Sequence, residues 1–251
     1  MGLSNKTIII TGASSGIGAA AAHLFAKEGA QIVLGTRREH ELKALTEQIA
    51  NDGGEVVYLT GDVCDEFYAQ KLVDLAVSEF GGLDGAFNNA GMVGDMSPVP
   101  EMANATWQTV IATNLTSAFL AAKAQIPAIQ DRGKGSIVFT SSFVGFSNGG
   151  MPGMGAYSAS KAGLIGLMQS LACDHAADGI RINCLLPGGT KTATAGDDPE
   201  THEFIANLHP VKRMAEPAEI AEAASFLLSD RASFMTGSPM IVDGGISARL
   251  F

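Results

Sequence analysis

The sequence predicts an α/β fold in which a doubly wound, seven-stranded parallel sheet carries helices on both faces. Three observations predict it. Short runs of β-branched and apolar residues alternate with longer helical patterns along the chain, the rhythm of strand–helix–strand units that build a parallel sheet. Several of the short runs are apolar throughout, as strands covered on both sides are. A glycine-rich turn follows the first strand and opens the first helix. The 251 residues suffice for one substantial core. No linker, repeat or low-complexity segment divides them, so residues 1–251 read as a single domain.

The elements follow in order. Thr7–Thr11 is β-branched at every position and reads as the first strand. The alanine-rich Gly16–Glu28 is a helix that stops at Gly29. Gln31–Gly35 is the second strand and Glu39–Asp52 the second helix, closed by Gly53-Gly54. Strands at Glu55–Thr60, Leu83–Asn88, Gly135–Ser141, Ile180–Leu185 and Pro239–Val242 complete the sheet, with helical patterns at Glu66–Phe80, Ala105–Gln130, Ala156–Asp178 and Pro217–Ser229 between them. Two stretches read as long loops, Ser142–Gly155, rich in Gly, Met and Phe, and Gly188–Met214. Both follow the carboxyl ends of strands, where parallel sheets bind ligands.

The net charge of −10 argues against a nucleic-acid surface and against attraction to anionic lipid. The three cysteines, Cys64, Cys173 and Cys184, form no CxxC pair and read as reduced, buried thiols of a cytoplasmic protein. The N-terminus runs straight into a strand without a signal-peptide pattern. No apolar run is long enough for a membrane span, and no His/Cys cluster or HExxH pattern points to a metal.

Tyr157 and Lys161, four residues apart, read either as an acid–base pair or as ordinary helix surface. On a helix, residues four apart lie on one face with Cβ atoms about 5–6 Å apart. A phenol titrates near ~10. A cation about 4 Å away lowers that by up to about three pH units at an effective dielectric of ~20, which is enough to exchange a proton with a substrate oxygen.

Thr11-Gly12-Ala13-Ser14-Ser15-Gly16-Ile17-Gly18 supports two readings. As a phosphate cradle, its glycines admit a pyrophosphate to the N–H groups and positive dipole end of the first helix. As Gly12-x-Ser14-x-Gly16 it matches the nucleophile elbow of a serine hydrolase, which needs a later carboxylate and then a histidine, for which His202 and His209 are placed. The elbow would lie on the first strand, with no earlier loop to supply an oxyanion donor. Gly18 and the alanine-rich helix fit close helix–sheet packing instead. After the second strand come Thr36-Arg37-Arg38, two guanidiniums and no carboxylate at Thr36. That suits the 2′-phosphate of NADP(H) over the 2′-hydroxyl of NAD(H), which stays possible. Asp62-Val63, after the third strand, fits a contact to adenine or a helix cap.

Thr11–Gly18, Asn88-Asn89-Ala90-Gly91, Asn114, Ser142, Tyr157–Lys161, Pro187-Gly188 and the terminal Val242-Asp243-Gly244-Gly245 together resemble the short-chain dehydrogenase/reductase family, in its compact single-domain branch. The resemblance covers essentially the whole chain and implies a Rossmann fold with a dinucleotide site and a substrate loop over about 188–214. It implies that Tyr157 is the general acid of carbonyl reduction and the base of alcohol oxidation, with Lys161 lowering its pKa and binding the nicotinamide ribose. Ser142, rather than Ser141, would hold the substrate oxygen, and Asn114 a water that links Lys161 to solvent. Asn89, Ala90, Gly91 and Thr140 would line the cofactor; Pro187, Gly188, Thr190 and Thr192 would contact its nicotinamide side. An idle dinucleotide-binding protein is the remaining alternative, though it would have no need of the Tyr–Lys pair. The chain departs from the family pattern at Thr140 and Thr190, where an apolar residue is frequent, and in a longer segment around Asn148–Met154.

The implied reaction is reversible hydride transfer between nicotinamide and a small ketone or secondary alcohol. Val93, Met96, Phe143, Val144, Phe146, Met151 and Met154 are the expected pocket, beside a lid at Ala193–Leu208, with Lys191 the one cation available to a substrate anion. The resemblance also implies a homotetramer or homodimer. Ala105–Gln130 and Ala156–Asp178 would supply one interface, and Arg249-Leu250-Phe251 a second.

Overall fold

Alternation within β1 (Thr7–Thr11) sets the two faces of the sheet. Ile8 and Ile10 point to one side and Ile9 to the other, each fully buried. A computed structural model describes residues 2–147 and 151–248. Its other strands are β2 (Gln31–Thr36), β3 (Glu55–Thr60), β4 (Gly85–Asn88), β5 (Gly135–Thr140), β6 (Ile180–Pro187) and β7 (Pro239–Val242). All pair in parallel, in the order β3-β2-β1-β4-β5-β6-β7. Helices α1 (Gly16–Lys27), α2 (Glu39–Asn51), α3 (Tyr68–Phe80), α4 (Asn104–Ile111), α5 (Ser117–Asp131), α6 (Phe143–Phe146), α7 (Gly155–His175), α8 (Pro199–Leu208) and α9 (Pro217–Leu228) connect the strands or follow them.

Two cores result. Ala21, Ala22 and Phe25 of α1, Leu42, Leu45 and Ile49 of α2, and Ile220, Ala224 and Leu227 of α9 cover the face that carries Ile8, Ile10, Ile32 and Phe87. The Phe25 and Phe87 rings meet at 6.2 Å in a tilted pair. Leu72 and Ala76 of α3, Ala122 and Ile129 of α5, and Leu164, Met168 and Ala172 of α7 cover the face that carries Ile9, Val33, Ile137 and Ile182. Small residues on α1, α5 and α7 let these helices sit close to the sheet. The chain leaves β1 toward β2 on one side and returns to β4 on the other, so a crevice opens beyond the carboxyl ends of β1 and β4.

The structure departs from the sequence expectations in several places: Cys64 and Cys173 are exposed rather than buried, and the short helix α6 stands inside the expected loop Ser142–Gly155. Gly188–Met214 is not one loop, because it contains the ten-residue helix α8. Asp198 caps that helix by accepting from Thr201 N at 2.9 Å, and Pro199 opens it. The helix expected over Ala105–Gln130 is broken by a π-helical turn at Ala112–Thr116 between α4 and α5. Strand ends also shift: β2 and β6 run on to Thr36 and Pro187, β5 stops at Thr140, and β4 starts at Gly85. Asn148–Gly150 in the longer segment and Arg249–Phe251 at the expected second interface lie outside the described residues. Among the described residues no helix is long and apolar enough to cross a membrane.

Behind the crevice, Asn88 at the end of β4 and Gln125 of α5 exchange two buried amide hydrogen bonds, at 2.8 and 3.0 Å. Gln125→Leu leaves the Asn88 amide buried without its partner and is expected to cost about 2 kcal/mol in urea unfolding. The double variant Asn88→Leu/Gln125→Leu is expected to lie closer to the parent, because no orphaned amide remains.

Candidate active site at the carboxyl edge of the sheet

Where β1 ends, the chain must turn beneath α1 without room for side chains. Gly12 has φ +67°, and a Cβ there would lie 2.9 Å from the Ala90 Cα; one on Gly18 would lie 2.3 Å from the Gly12 carbonyl oxygen. The turn therefore packs directly on the β4 loop. Ser15 occupies the N-cap of α1 but its side chain caps no N–H, and Ile17 follows Gly16 in the first turn. The helix thus presents its opening N–H groups to the crevice. The Thr11 hydroxyl accepts from Asn89 N at 3.1 Å and Ala90 N at 3.3 Å, and the Thr140 hydroxyl donates to Asn89 Oδ1 at 3.1 Å. Asn89 and Thr140 thus knit together the ends of β1, β4 and β5.

The end of β2 reaches the same turn. Arg38 donates from Nη2 to the Ser14 and Ser15 hydroxyls, at 2.7 and 2.8 Å, and Ser14 also meets Thr36 at 3.2 Å. Arg37 is exposed and stands 3.8 Å from Asp62, which accepts from Cys64 N. Val63 lines the cavity beside Thr11, Ala90, Asn114 and Thr140. For the hydrolase reading, the Ser14 hydroxyl meets a guanidinium and a hydroxyl where a histidine base is required. His202 and His209 bond the carbonyls of Gly196 and Ile205 instead.

Beyond β5 the two adjacent serines diverge. Ser141 donates to the Lys161 carbonyl at 2.7 Å and so ties the strand end to α7. The Ser142 hydroxyl caps α6 by accepting from Val144 N at 3.3 Å and hydrogen-bonds the Tyr157 phenol. Tyr157 and Lys161 share a face of α7, with Lys161 Nζ 5.6 Å from the phenol ring centre. That ammonium is buried and donates to the Thr140 carbonyl at 2.7 Å.

Asn114 sits in the π-helical turn, 2 % exposed. It accepts from Met92 N at 2.8 Å and donates to the Met92 carbonyl at 2.8 Å and the Ser160 hydroxyl at 3.0 Å; Ser160 in turn donates to the Tyr157 carbonyl. A Cβ on Gly91 would lie 3.2 Å from both Asn114 Oδ1 and Lys161 Nζ, so those two groups close on one point. Oδ1 keeps a second acceptor position there.

The expected lowering of the Tyr157 pKa does not hold for the chain as it stands. Burial pushes the phenol up, and the Ser142 hydrogen bond opposes it only in part. The i,i+4 spacing brings the Lys161 stem beside the ring, but the ammonium is spent on the Thr140 carbonyl. Burial in turn lowers Lys161 from 10.5 to about 8.

After β6, Pro187 ends the strand, and Gly188 N donates to the Val242 carbonyl at 3.0 Å. Thr190 donates to the Gly188 carbonyl, and Thr192 crosses the glycine turn, its Cγ2 2.8 Å from where a Gly16 Cβ would stand. Lys191 is ion-paired with Glu216, so it faces an acid already. Phe143, Val144 and Ile246 form a small third core against Met154, Tyr157 and Leu208. This makes an apolar wall beside the Ser142 and Tyr157 hydroxyls. Met96 and Phe146, by contrast, are largely exposed. The arrangement places two hydroxyls and a cation beside an apolar wall, which can hold a carbonyl oxygen and pass it a proton.

A family model described as enoyl-(acyl carrier protein) reductase matches residues 12–247. A 2,5-dichloro-2,5-cyclohexadiene-1,4-diol dehydrogenase of Sphingobium indicum is 39% identical over 251 residues, covering 98% of each chain. The chain belongs to the short-chain dehydrogenase/reductase family. An A-factor type gamma-butyrolactone 1′-reductase (1S-forming) of Streptomyces virginiae is 38% identical, covering 98% of this chain and 96% of its own. The crystal structure of a short-chain type dehydrogenase/reductase from Mycobacterium marinum matches with a TM-score of 0.94 at 32% identity, covering 99% of this chain and 98% of that one. The protein is thus an oxidoreductase of a family that works with nicotinamide dinucleotides. Its residues fit such a group: the α1 N-terminus carries no side-chain cap, and its opening N–H groups suit a pyrophosphate.

Two features of this site escaped the sequence reading. Thr11 proves to be a double acceptor for the β4 loop. His209, read only as a hydrolase partner, is buried at the foot of α8, and a lone histidine gives no sequence signal of that.

The Lys161 shift has a stability consequence. The unfolded chain holds that proton up to 10.5 and the folded chain only to about 8, so folding gains as pH climbs between those values. Lys161→Met is expected to exceed the parent's stability by most below pH 8. That difference shrinks by about 3 kcal/mol by pH 10.5, as followed by denaturant unfolding at each pH.

Proposed function

We propose that the protein is an NADP(H)-dependent enzyme that interconverts a secondary alcohol and a ketone on a small ring-bearing substrate, with Tyr157 as general acid and base. The observation that carries this reading is the convergence of the Ser142 and Tyr157 hydroxyls beside the buried Lys161 ammonium. The bound nicotinamide supplies or accepts the hydride.

Ser142 donates to the substrate oxygen and holds it against Tyr157. In reduction the Tyr157 hydroxyl gives its proton to that oxygen as negative charge develops there; in oxidation the phenolate takes it back. A charged Lys161 beside the phenol ring favours the phenolate over the neutral phenol. Asn114 fixes the Met92 peptide and, through Ser160, the first turn of α7, so the phenol and ammonium stay in register.

The ring-bearing substrate is supported by the two relatives above, each named for a ring compound. It is also supported by the apolar wall of Phe143, Val144 and Met154. For NADP(H), the support is Thr36, Arg37 and Arg38 at the end of β2, where no carboxylate stands and Arg38 is already pinned to the glycine turn. In the same reading the protein works as a homotetramer or homodimer, consistent with exposed Trp107 and Phe119 on α4 and α5.

Tyr157→Phe is expected to lower kcat for ketone reduction by about 10²–10⁴-fold while cofactor still binds. Full activity in that variant refutes the proposed acid. Calorimetric titration is expected to show NADPH binding at least about tenfold more tightly than NADH, with Arg38→Ala closing most of the gap. Equal affinity for the two cofactors in the parent would overturn the assignment at β2.

A further inference from the structure

We propose that His209 is a positioning residue: it holds the Gly188–Thr192 segment, which on the reading above faces the nicotinamide half of the cofactor. His209 lies one residue beyond α8 and is 2 % exposed. Both ring nitrogens are engaged by main chain. Nε2 lies 3.0 Å from Gly189 N, and Nδ1 lies 2.7 Å from the Ile205 carbonyl oxygen. A peptide N–H can only donate and a carbonyl can only accept, so the ring is neutral with its proton on Nδ1. Such a ring is in no position to carry protons for substrate. Its task is to join two elements.

The elements it joins are the strand end and the lid. A Cβ on Gly188 would stand 2.8 Å from His209 Nε2, and one on Gly189 2.8 Å from its Cε1, so the ring fills the space that these glycines leave. Three further ties on the segment are between main-chain groups, and Lys191 adds an exposed ion pair to Glu216. Gly188 N donates to Val242 O, Ala215 N to Gly189 O, and Lys191 N to Ala215 O. His209 supplies the buried side-chain tie, and it comes from the end of α8, where Leu208 packs beside Tyr157. Losing it leaves a part-buried Gly189 N–H without an acceptor and frees the segment to move relative to Thr192, which covers Gly16.

Two variants separate the nitrogens. His209→Gln places an amide oxygen near the position of Nε2 and can still accept from Gly189. His209→Asn ends near the position of Nδ1 and reaches Ile205 only. We expect His209→Asn to raise the Kd and KM for NADPH about tenfold with kcat changed less than about threefold, and His209→Gln to stay within about threefold of the parent. Equal NADPH affinity in parent and Asn variant overturns the proposal. So does equal damage in both variants confined to melting temperature, with KM and kcat unchanged. Imidazole ¹⁵N NMR of the unmutated protein is expected to show an unprotonated Nε2; a proton there also overturns it, whatever the variants do. Thr192→Val separates this proposal from the reading beneath it. If Thr192→Val weakens NADPH binding and His209→Asn does not, His209 alone is wrong; if neither weakens it, the assignment of the segment to the cofactor falls as well.

Discussion

A buried ammonium organises this protein's working edge. Lys161 is shut away from water, and its donor reaches the Thr140 carbonyl at the tip of β5. A cation in such a place demands partners. The surrounding main chain is arranged to meet that demand: Gly91 has no side chain to intrude, and Asn114 is turned toward the same point by an interruption in its helix. Ser141 then holds the Lys161 carbonyl, so strand and helix are joined at both ends of one residue. Ser142 and Tyr157 inherit their mutual position from that joint. The tuning of the phenol is therefore a contest between burial, which keeps it protonated, and Ser142, which favours its ionised form.

Much of this architecture was legible in the residues. The isoleucines of β1 declare a strand covered on both faces, and the glycine turn announces a helix entered at close quarters. The spacing of Tyr157 and Lys161 places both on one face of α7, as they stand. What spacing does not reveal is where a flexible amine points. Four methylene groups let Nζ turn to the β5 carbonyl, and burial sets the direction of the Tyr157 shift. The π-helical turn was hidden for a related reason: Asn114 interrupts no apolar period, and only the tertiary partners Met92 and Ser160 make a widened turn favourable there. Helix α8 was missed although Asp198-Pro199 is a local start signal, because a weakly apolar ten-residue stretch beside Gly and Asp reads as a loop.

In the proposed function, cofactor and substrate are handled by different parts of the chain. The glycine turn, β2 end and β4 loop are tied to one another by short hydrogen bonds between neighbouring strand tips. The groups proposed to face substrate sit instead on α6, α8 and the C-terminal turn, joined by the small Phe143–Val144–Ile246 core. A core of that size contributes little on its own, so this half can adjust its shape while the dinucleotide half stays rigid.

The sheet order also constrains how the molecule comes into being. Thr11 meets Asn89 and Ala90 only across the β1–β4 pairing, after α1, β2, α2, β3 and α3 have all been threaded aside. Parallel pairing across so much chain closes slowly and gains nothing until both strands are present. On a ribosome, the first strands and helices must therefore wait, with an unpaired β1 edge, until β4 emerges. That exposed edge is the period when a nascent chain is most in need of a chaperone.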